Sequence, residues 1–559
     1  MDKQEPAGRN QDARNAEPAV TDATADASPS QTASVTRSTA VMSGAILVSR
    51  ITGFVRTWAM AFALGNTILT SAYNVANNLP NQIFELLAGG IISSVFLPVY
   101  LVQREKNGEQ AALGFASNLF SIGLLLLGSV STLATVFAPQ VVFTQTFLSE
   151  QNELETVRMA VFFFRFFAIQ ILFYGMGGLM NSLLNAHRRF FWPMAGPIFN
   201  NLVGIITMFA YPYIAEQDAQ LAMVFLAVGT TVGILVMFVV QVPAFLRLKM
   251  PLHFHIRWND AALKESLVLA LPVTAFVFVN LIVASTLNAV ALRTAPIGPS
   301  TIQYAWLWYQ LPYGVIAVAL STALFTEMSE ASAAGDLQKL RYNIRFGLRT
   351  TLFTIVPLAV AIIVLAKPLA GLYRAGEFTQ ADVEMVSNVL RTWCMALPFF
   401  STYRFLYRAF SALRDLKAFI LIDACGRIIQ IVLYICLTNG LGQWSGLGLV
   451  GLPLADAIAH LLLVSAMLGF LKSKIGSYGL RSIAIDGLKL MVAAALATIP
   501  VLAYQFLGYG EVTGIANSLI YVVGGGISIL ILYYLICRLF KVPETAIVNR
   551  LFKAIKKKP

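Results

Sequence analysis

The chain has 559 residues, of which 57% are hydrophobic and only 12% are charged. Soluble globular proteins carry about 25% charged residues, and the mean hydropathy of +0.70 excludes an ordinary soluble enzyme, a disordered chain and a disulfide-stapled domain. The composition predicts an all-α polytopic membrane protein, in which the net charge of +12 reflects membrane sidedness rather than nucleic-acid binding.

The predicted elements begin after a polar tail. Residues 1–36 have no apolar core, so they predict a disordered cytoplasmic tail and not a secretory signal peptide. Fourteen apolar segments follow, each long enough to span a bilayer as a helix, for which about 20 residues suffice. We predict spans at 40–64, 72–102, 113–141, 157–185, 191–215, 219–246, 266–292, 300–325, 347–370, 384–413, 417–438, 447–471, 484–507 and 513–539.

Basic residues mark one side of the predicted bundle. Lysine and arginine concentrate in the even-numbered connections, as at Arg104, Arg188 and Lys249, and the odd-numbered connections hold few. The positive-inside rule therefore places the even connections and both termini in the cytoplasm. Residues 541–559 form a basic cytoplasmic tail, which we interpret as a juxtamembrane anchor to anionic membrane lipid.

A weak internal repeat divides the chain. A Leu-Pro pair at Leu79 in the second helix recurs 232 residues later at Leu311 in the eighth. The offset corresponds to six helices, so the two copies share one orientation and form two lobes about an axis along the membrane normal. The predicted units are an N-lobe, a C-lobe and two appended helices, at 37–250, 251–475 and 476–540.

The second predicted helix carries a stripe of six polar side chains. Their spacing places them on one helical face: Asn74, Asn77, Asn78, Asn81, Gln82 and Glu85. Six polar groups facing lipid would be very costly, so the stripe lines either a watery cavity or a neighbouring helix. Pro80 inside the stripe predicts a kink.

The first predicted helix carries Arg50 and Arg56 within an apolar segment. At a rise of 1.5 Å per residue they lie about 9 Å apart along the axis, and both are too deep to be end anchors. Such arginines usually face a cavity or a partner, and the guanidinium fork suits phosphate oxygens. The pattern favours an anionic substrate; the alternative is a pair of structural salt bridges, for example with Glu85.

Three more side chains are candidates for a substrate site. Arg404 lies deep enough in the tenth helix to face the cleft between the lobes. Gln303 and Gln310 lie near one face of the eighth helix together with aromatic residues. Amides beside aromatic rings suit sugar rings, although the same pattern also occurs in ordinary packing.

Two carboxylates are candidates for ion coupling. Asp423 precedes Arg427 by four residues in the eleventh helix, and Asp456 precedes His460 by four in the twelfth. Residues at this spacing share a helical face and can neutralise each other. Each aspartate is therefore either a satisfied structural partner or a site that exchanges a proton or cation during transport.

No catalytic or nucleotide-binding pattern occurs in the sequence. P-loop, H-E-x-x-H and G-x-S-x-G motifs are absent, and the four cysteines and four histidines are too scattered for redox or metal chemistry. We expect a transporter without a cofactor rather than an enzyme, and no nucleic-acid partner.

Several short blocks occur in a specific order: Ser49-Arg50-x-x-Gly53-Phe54-x-Arg56, Leu79-Pro80-Asn81, Leu184-Asn185-Ala186, Gly376-Glu377-Phe378-Thr379 and Phe410-Ser411-Ala412-Leu413-Arg414-Asp415. Their order resembles the MurJ/MviN family of lipid II flippases, in the multidrug/oligosaccharidyl-lipid/polysaccharide exporter superfamily. The resemblance implies fourteen helices in two lobes that alternate access to an undecaprenyl-diphosphate-linked muropeptide (lipid II) in the bacterial cytoplasmic membrane. It also implies that Arg50 and Arg56 meet the diphosphate.

The chain departs from the family pattern where charges are common. Phe84-Glu85 replaces a frequent basic pair, Trp306-Leu307 replaces an Asp-Arg pair, and Ser71 replaces an acidic residue. We therefore predict a lipid II flippase with a less cationic cavity, and cell-wall synthesis proteins as candidate partners. The alternatives are a flippase for another lipid-linked glycan, a drug or cation antiporter of the same fold, and a non-transporting scaffold for wall synthesis.

Overall fold

The computed structural model describes residues 29–89, 92, 95–150, 153–250, 252–509 and 514–546. These residues are helical apart from connecting turns and an isolated β-bridge between Leu441 and Trp444, which confirms the predicted all-α class. The helices are α1 (Pro29–Leu64), α2 (Ile68–Phe84), α3 (Phe96–Val136), α4 (Ala138–Thr146), α5 (Leu154–Phe167), α6 (Gln170–Ala186), α7 (Phe191–Ala215), α8 (Ala219–Val239), α9 (Val242–Leu246), α10 (Ala261–Thr294), α11 (Gly298–Pro312), α12 (Val318–Ala333), α13 (Leu337–Gly371), α14 (Gln380–Ala412), α15 (Leu416–Asn439), α16 (Gly451–Ile475), α17 (Leu480–Tyr504) and α18 (Ile515–Leu539).

Most of the predicted spans lie in helices that could cross a membrane. Within the described residues, ten helices are long and apolar enough, or eleven when the bent pair α5–α6 counts as one span. The helices of the second, eighth and tenth predicted spans fall outside this group. Two of them, α2 and α11, have only 17 and 15 residues because each ends at a π-helical turn, and the third, α14, carries more polar side chains. The chain is therefore a multi-pass membrane protein, and the count of fourteen spans stays a prediction.

Two boundaries differ from the expected ones. The end of the second predicted span and most of the third lie in α3, whose backbone leaves the helical region at Gly108, with φ of 85°. Glycine adopts this conformation without a Cβ penalty, so the chain turns there. At the N-terminus α1 begins at Pro29, inside the segment predicted as a disordered tail. Residues 1–28 and most of the predicted basic tail, 547–559, lie outside the described residues.

Side-chain caps define several helix starts. Thr67 caps α2 with its hydroxyl, and Thr379 forms a capping box with Asp382 at the start of α14. Such oxygens satisfy the first backbone N–H groups of a helix. Asp415 caps α15 and also accepts from Lys474 at the end of α16, a hydrogen bond that lowers the pKa of the Asp415 carboxyl below its ordinary value.

The helices form two groups, which we name by position. In the N-lobe, α1–α9, α1 packs on α7, α2 on α5 and α3 on α6. In the C-lobe, α10–α16, α13 packs on α14, and α16 packs on both α14 and α15. Helices α17 and α18 pack on α13 and so extend the C-lobe. Pro80 in α2 and Pro312 in α11 each precede a π-helical turn, Glu85–Gly89 and Tyr313–Ala317, in keeping with the internal repeat.

Candidate functional site

A cavity of about 590 Å³ lies between α2 of the N-lobe and five helices of the C-lobe, namely α10, α11, α14, α15 and α16. Its amide and charged lining side chains, with one histidine, are Asn74, Asn78, Gln82, Glu85, Asn280, Asn288, Gln303, Arg404, Arg427, Gln430, Asp456 and His460. Aromatic rings and aliphatic side chains complete the wall. A cavity of this size, with specific polar groups among apolar surfaces, is typical of a ligand site.

The polar stripe of α2 divides between the cavity and the protein. Asn74, Asn78, Gln82 and Glu85 line the cavity. Asn77 and Asn81 do not, and Asn81 donates to Oε1 of Glu85 at 3.0 Å. Gln82 also accepts a hydrogen bond from Gln145 of α4, so one member of the stripe both lines the cavity and contacts a neighbouring helix, whereas the Asn81 bond runs along its own helix.

Gln145 of α4 ties the two lobes together beside the cavity. Its side chain is 2% exposed and donates to Oε1 of Gln82 on α2 at 3.0 Å and to Oγ of Ser285 on α10 at 2.7 Å. Asn288 of α10 donates to its Oε1 at 2.8 Å. This arrangement, the Gln145 brace, links an N-lobe helix to C-lobe side chains.

A buried polar seam joins the lobes at one end of the bundle, where the α1–α2 connection meets the start of α11. Asn66 donates to Oγ1 of Thr301 at 2.9 Å and accepts from Ser300. Ser71 donates to Oγ of Ser300 at 3.1 Å. All four side chains are at most 5% exposed, so this closing seam, defined by Asn66, Ser71, Ser300 and Thr301, seals its end of the bundle.

Backbone contacts extend the closing seam to the α13–α14 connection. The Tyr304 hydroxyl donates to the carbonyl of Gly65 at 2.9 Å, and the backbone N–H of Glu377 donates to the carbonyl of Phe62 at 3.1 Å. Gly65 has a φ of 62°, and a Cβ there would lie 2.6 Å from the carbonyl oxygen of Glu377. Only glycine fits this approach of the C-lobe to the end of α1.

Asp423 and Arg427 form a buried ion pair on α15, with 3.3 Å between Oδ1 and Nε. Tyr403 of α14 donates to Asp423 at 2.8 Å and accepts from Arg427 at 3.1 Å. Arg427 also donates to Gln430 at 2.7 Å. The geometry is that of a satisfied structural pair, one of the two alternatives for Asp423.

Asp456 of α16 lines the cavity with a different set of partners. Its carboxylate accepts from Nε1 of Trp393 at 2.7 Å and from the side chains of Gln430 and Tyr434. The expected side-chain pair with His460 is not formed, because Nδ1 of His460 contacts the backbone carbonyl of Asp456 at 2.8 Å. Within the described residues, no lysine or arginine forms an ion pair with Asp456.

The two arginines of α1 do not line the cavity. Because α1 packs along α7, the aliphatic part of the Arg56 side chain lies against Gly204. A Cβ added to Gly204 would lie 2.8 Å from Cδ of Arg56. The side chain of Arg50 reaches Gly314 of the C-lobe. A Cβ added to Gly314 would lie 3.0 Å from Nη1 of Arg50. In the described part of the chain neither arginine forms an ion pair, and Glu85, the suggested partner, is bonded by an asparagine of its own helix.

Arg404 lines the cavity from α14 and is held by Tyr313, the first residue of a π-helical turn. Its Nε donates to the Tyr313 hydroxyl at 2.8 Å, and the guanidinium lies 5.5 Å from the ring centroid, at cation–π distance. Arg50 lies against the next residue, Gly314. Guanidinium groups from both lobes therefore approach one π-helical turn, a feature that is frequent at functional sites.

The predicted amide and aromatic face of α11 is present in part. Gln303 lines the cavity beside Trp306, Tyr309 and Trp393, whose ring centroids lie 5.1 to 5.3 Å apart. Gln310 is not among the lining residues. These rings form an aromatic wall of the cavity, with planes tilted by 20° to 50° to one another.

Several polar lining residues escaped sequence reasoning, among them Asn280, Asn288, Gln430 and Tyr434. A local signal existed for the first two, which lie about two helical turns apart in the apolar helix α10 and so near one face. For Gln430 and Tyr434 the decisive partner, Asp456, lies on another helix, so no spacing rule could identify their role.

A protein-family model described as "MurJ: Lipid II flippase MurJ" matches residues 60–522. The chain belongs to the MurJ family. The probable lipid II flippase MurJ of Rhizobium meliloti (strain 1021) is 29% identical over 392 residues, covering 69% of this chain and 72% of that protein. The lipid II flippase MurJ of Burkholderia cenocepacia is 27% identical over 390 residues, covering 68% and 74%.

Solved structures share the fold of this MurJ-family chain. A lipid II flippase MurJ in an inward closed conformation matches with a TM-score of 0.72 at 24% identity, over 89% of this chain and 98% of that one. An inward-facing multidrug resistance MATE family transporter of the MOP superfamily matches with a TM-score of 0.60 at 15% identity, over 78% and 94%. At these identities the likeness concerns architecture alone.

The cavity of this MurJ-family chain combines amides, an aromatic wall and guanidinium groups. It can therefore hold a head group that carries both hydroxyls and negative charge. In the described residues no group of three or more histidine, cysteine, aspartate or glutamate side chains could hold a metal ion.

Proposed function

We propose that this chain moves lipid II from the cytoplasmic to the outer leaflet of the bacterial cytoplasmic membrane by alternating access, and acts as a transporter rather than an enzyme. The observation that carries the proposal is a cavity lined by both lobes, beside a closing seam that seals one end of the bundle. Membership of a family described as lipid II flippases, together with relatives of that name, supports the substrate.

The distribution of basic residues orients the molecule in this proposal. The connections at the end opposite the closing seam contain Arg188, Lys249 and Lys339, among others. By the positive-inside rule that end and both termini face the cytoplasm, and the closing seam faces outward. Lipid II would then load from the inner leaflet.

Transport requires the closing seam to open. The seam consists of side-chain hydrogen bonds among Asn66, Ser71, Ser300 and Thr301, and water can replace such partners once the lobes part. The net free energy of one such bond is about 1 kcal/mol. A few bonds of this kind can hold the lobes together and still allow them to separate.

The diphosphate is proposed to bind Arg50 and Arg404 at the Tyr313–Ala317 turn. Within the described residues neither guanidinium forms an ion pair with a carboxylate, so both can bind an anionic ligand. A phosphate accepts bidentate hydrogen bonds from arginine. Arg56 lies within electrostatic range of Tyr73 and Tyr174 and is proposed to add positive potential from inside the N-lobe.

The sugar and peptide parts are proposed to contact the amides and the aromatic wall. Asn74, Asn78, Gln82 and Gln303 offer donors and acceptors towards the cavity, and aromatic faces suit the apolar faces of sugar rings. Glu85 would accept from a hydroxyl or amide of the head group. Asn77, Asn81 and Gln310 would support this surface from outside the lining.

Of the two aspartates proposed for ion coupling, Asp456 is the better placed. Asp423 is neutralised by Arg427, whereas Asp456 faces the cavity with neutral hydrogen-bond donors only. Binding a proton or cation at Asp456 would therefore change the charge of the cavity. The transmembrane potential supplies about 2.3 kcal/mol per elementary charge moved across 100 mV.

A complementation experiment tests the proposed function. Cells depleted of their flippase would receive the wild-type chain, Arg50→Ala, Arg404→Gln or the matched control Arg408→Gln, at equal membrane abundance. Arg408 lies one turn from Arg404 and contacts the Phe325 ring at 5.5 Å. We expect lipid II exposure on the outer leaflet to fall at least tenfold for the first two variants and to be unchanged for the control.

Two results would contradict this proposal. If Arg50→Ala and Arg404→Gln both expose as much lipid II as the wild-type chain does, the proposed anion site is wrong. Failure of the correctly inserted wild-type chain to expose lipid II would instead favour another lipid-linked glycan or a scaffold. Cell-wall synthesis proteins are proposed as neighbours because they consume the translocated precursor.

A further inference from the structure

Two π-helical turns, one from each lobe, bring opposite charges to the central cavity. Glu85 begins the N-lobe turn Glu85–Gly89, and its side chain lines the cavity. Tyr313 begins the C-lobe turn Tyr313–Ala317 and is held by Arg404, which lines the same cavity. Each turn follows a proline of the internal repeat. The cavity therefore has a carboxylate on its N-lobe wall and a guanidinium on its C-lobe wall.

Neither of these charges is neutralised within the described residues. No ion pair joins Glu85 to a lysine or arginine, and none joins Arg404 to a carboxylate. Oε1 of Glu85 accepts from Asn81 of the same helix at 3.0 Å, and among the described residues Oε2 accepts no hydrogen bond. Both side chains are exposed. A ligand in the cavity therefore meets a carboxylate and a guanidinium that each lack a counter-charge.

The other carboxylates near the cavity already have their hydrogen bonds. Asp423 is paired with Arg427 at 3.3 Å. Both oxygens of Asp456 accept from neutral side chains of α14 and α15. Among the described lining residues, Glu85 is therefore the carboxylate with a free oxygen for a ligand.

Arg56 is the nearby cation that most resembles an internal partner for Glu85. Both residues lie within electrostatic range of Tyr174 on α6. However, the aliphatic part of the Arg56 side chain lies against Gly204 of α7, and Arg56 does not line the cavity. Glu85 is therefore not consumed as the counter-ion of Arg56 in this structure.

We propose that Glu85 binds a primary ammonium of the transported head group while Arg404 binds its diphosphate. This inference rests on the proposed function and deepens it. A hydrogen bond between ionised partners is roughly twice as strong as one between neutral groups, so the charge of Glu85 favours an ammonium over a hydroxyl or an amide. A muropeptide whose peptide contains a diamino acid carries such an ammonium on the same molecule as the diphosphate.

The ammonium site would make the cavity selective among head groups of similar size. Acetylation of the amine removes its positive charge and leaves Glu85 facing a neutral group. Selectivity is a difference between two affinities, and here the difference arises from one charge on the ligand and one on the protein. The site thus reads the peptide part of the head group, which the guanidinium of Arg404 does not distinguish.

The test compares two forms of one lipid. Binding of lipid II with lysine in its peptide, and of the same lipid acetylated on the lysine side-chain amine, would be measured on the purified full-length chain. The variants are Glu85→Gln, which removes the charge, and Glu85→Asp, which retains it. The matched control is Glu105→Gln, at an exposed position of α3 outside the cavity lining. Unchanged midpoints of thermal unfolding identify the folded variants.

We expect the wild-type chain to bind the amine form about tenfold more tightly than the acetylated form, equivalent to about 1.4 kcal/mol. Glu85→Gln should bind the amine form about tenfold more weakly than wild type and the acetylated form within twofold of it. Glu85→Asp should retain a preference for the amine form. The control should change neither affinity.

Three results would overturn the proposal. The first is equal affinity of the wild-type chain for the two forms, or no binding of the amine form, and this comparison needs no variant. The second is equal weakening of both forms by folded Glu85→Gln, because Glu85 would then act through its own protein contacts. The third is displacement of the amine form by an equal concentration of dioleoyl phosphatidylethanolamine, because the site would then accept any ammonium lipid.

The outcome is separable from that of the proposed function. If binding distinguishes the two forms through Glu85 but the wild-type chain fails to expose lipid II in cells, the ammonium site stands and the transport proposal fails. If the wild-type chain exposes lipid II in cells but binds both forms equally, transport stands and the ammonium site fails.

Discussion

Asp423 and Asp456 show how the same residue type can serve different purposes on two neighbouring helices, α15 and α16. Asp423 is 1% exposed and its charge is balanced by Arg427, so it stabilises the C-lobe. Asp456 accepts from neutral donors and, within the described residues, forms no direct ion pair. Its nearest link to a cation is through Gln430, which also accepts from Arg427.

The two aspartates should therefore respond differently to the same substitution. Asp423→Asn leaves Arg427 buried without a counter-charge, and removing one partner of a buried pair costs about 3–5 kcal/mol. Asp456→Asn loses one of the acceptor oxygens for Trp393, Gln430 and Tyr434 but leaves no unpaired charge, so it should lower the midpoint of thermal unfolding less than Asp423→Asn does. It should also lose the dependence of transport on the imposed ion gradient in proteoliposomes.

Asp218→Asn, at the start of α8, is the control for this comparison, since asparagine also caps helices well. A stable Asp423→Asn variant would show that the ion pair does not hold the C-lobe. Gradient-dependent transport by Asp456→Asn would exclude Asp456 as the coupling site.

At the scale of elements, α4 is short, with nine residues, but it contacts helices of both lobes. It belongs to the N-lobe by sequence, yet its one buried glutamine amide bonds to α2 and α10. Helices of this length are marginal by themselves, so its position depends on these contacts. Gln145 thus fixes α4 against α2 and α10 beside the cavity.

Gln145→Leu should loosen this attachment of α4. The substitution removes the hydrogen bonds of Gln145 to Gln82, Ser285 and Asn288, each with a net free energy of about 1 kcal/mol. We expect a lower midpoint of thermal unfolding in detergent and faster hydrogen exchange in α4. Gln140→Leu, at an exposed position of the same helix, should change neither, and an equal effect of both substitutions would refute the brace.

For the whole molecule, we propose that the closing seam sets the balance between the sealed state and an open one. Its partners come from the α1–α2 connection and the start of α11, so it forms only when the two lobes meet. Because the seam is polar and buried, its hydrogen bonds form only when the two lobes meet in one alignment. Loss of the seam should shift the populations of the sealed and open states rather than unfold either lobe.

Asn66→Ala should open the outer side of the cavity more often. Losing the hydrogen bonds to Ser300 and Thr301 costs about 1–3 kcal/mol, which changes a two-state population roughly 5- to 150-fold. The measurement is the labelling rate of Asn288→Cys by a membrane-impermeant maleimide applied from outside. Ser528→Ala, on the membrane face of α18, is the control; unchanged labelling in Asn66→Ala would show that the seam is not the outer gate.

The sequence by itself determined the all-α class, the approximate position of the helices and the polar stripe of α2. Each of these depends on hydropathy or on spacing within a single helix, which residues close in the chain decide. The Asp423–Arg427 pair and the cavity position of Arg404 could also be predicted, because both follow from depth or a four-residue spacing in one span.

Only the tertiary structure decided the partners across helices. It placed Arg50 over Gly314 and Arg56 against Gly204, outside the cavity lining, and it gave Asp456 its neutral donors from α14 and α15. It also created the closing seam from segments more than 200 residues apart. Helix rotation and lobe contact arise from the packing of distant surfaces, and no local pattern in the chain encodes which distant surface a side chain will meet.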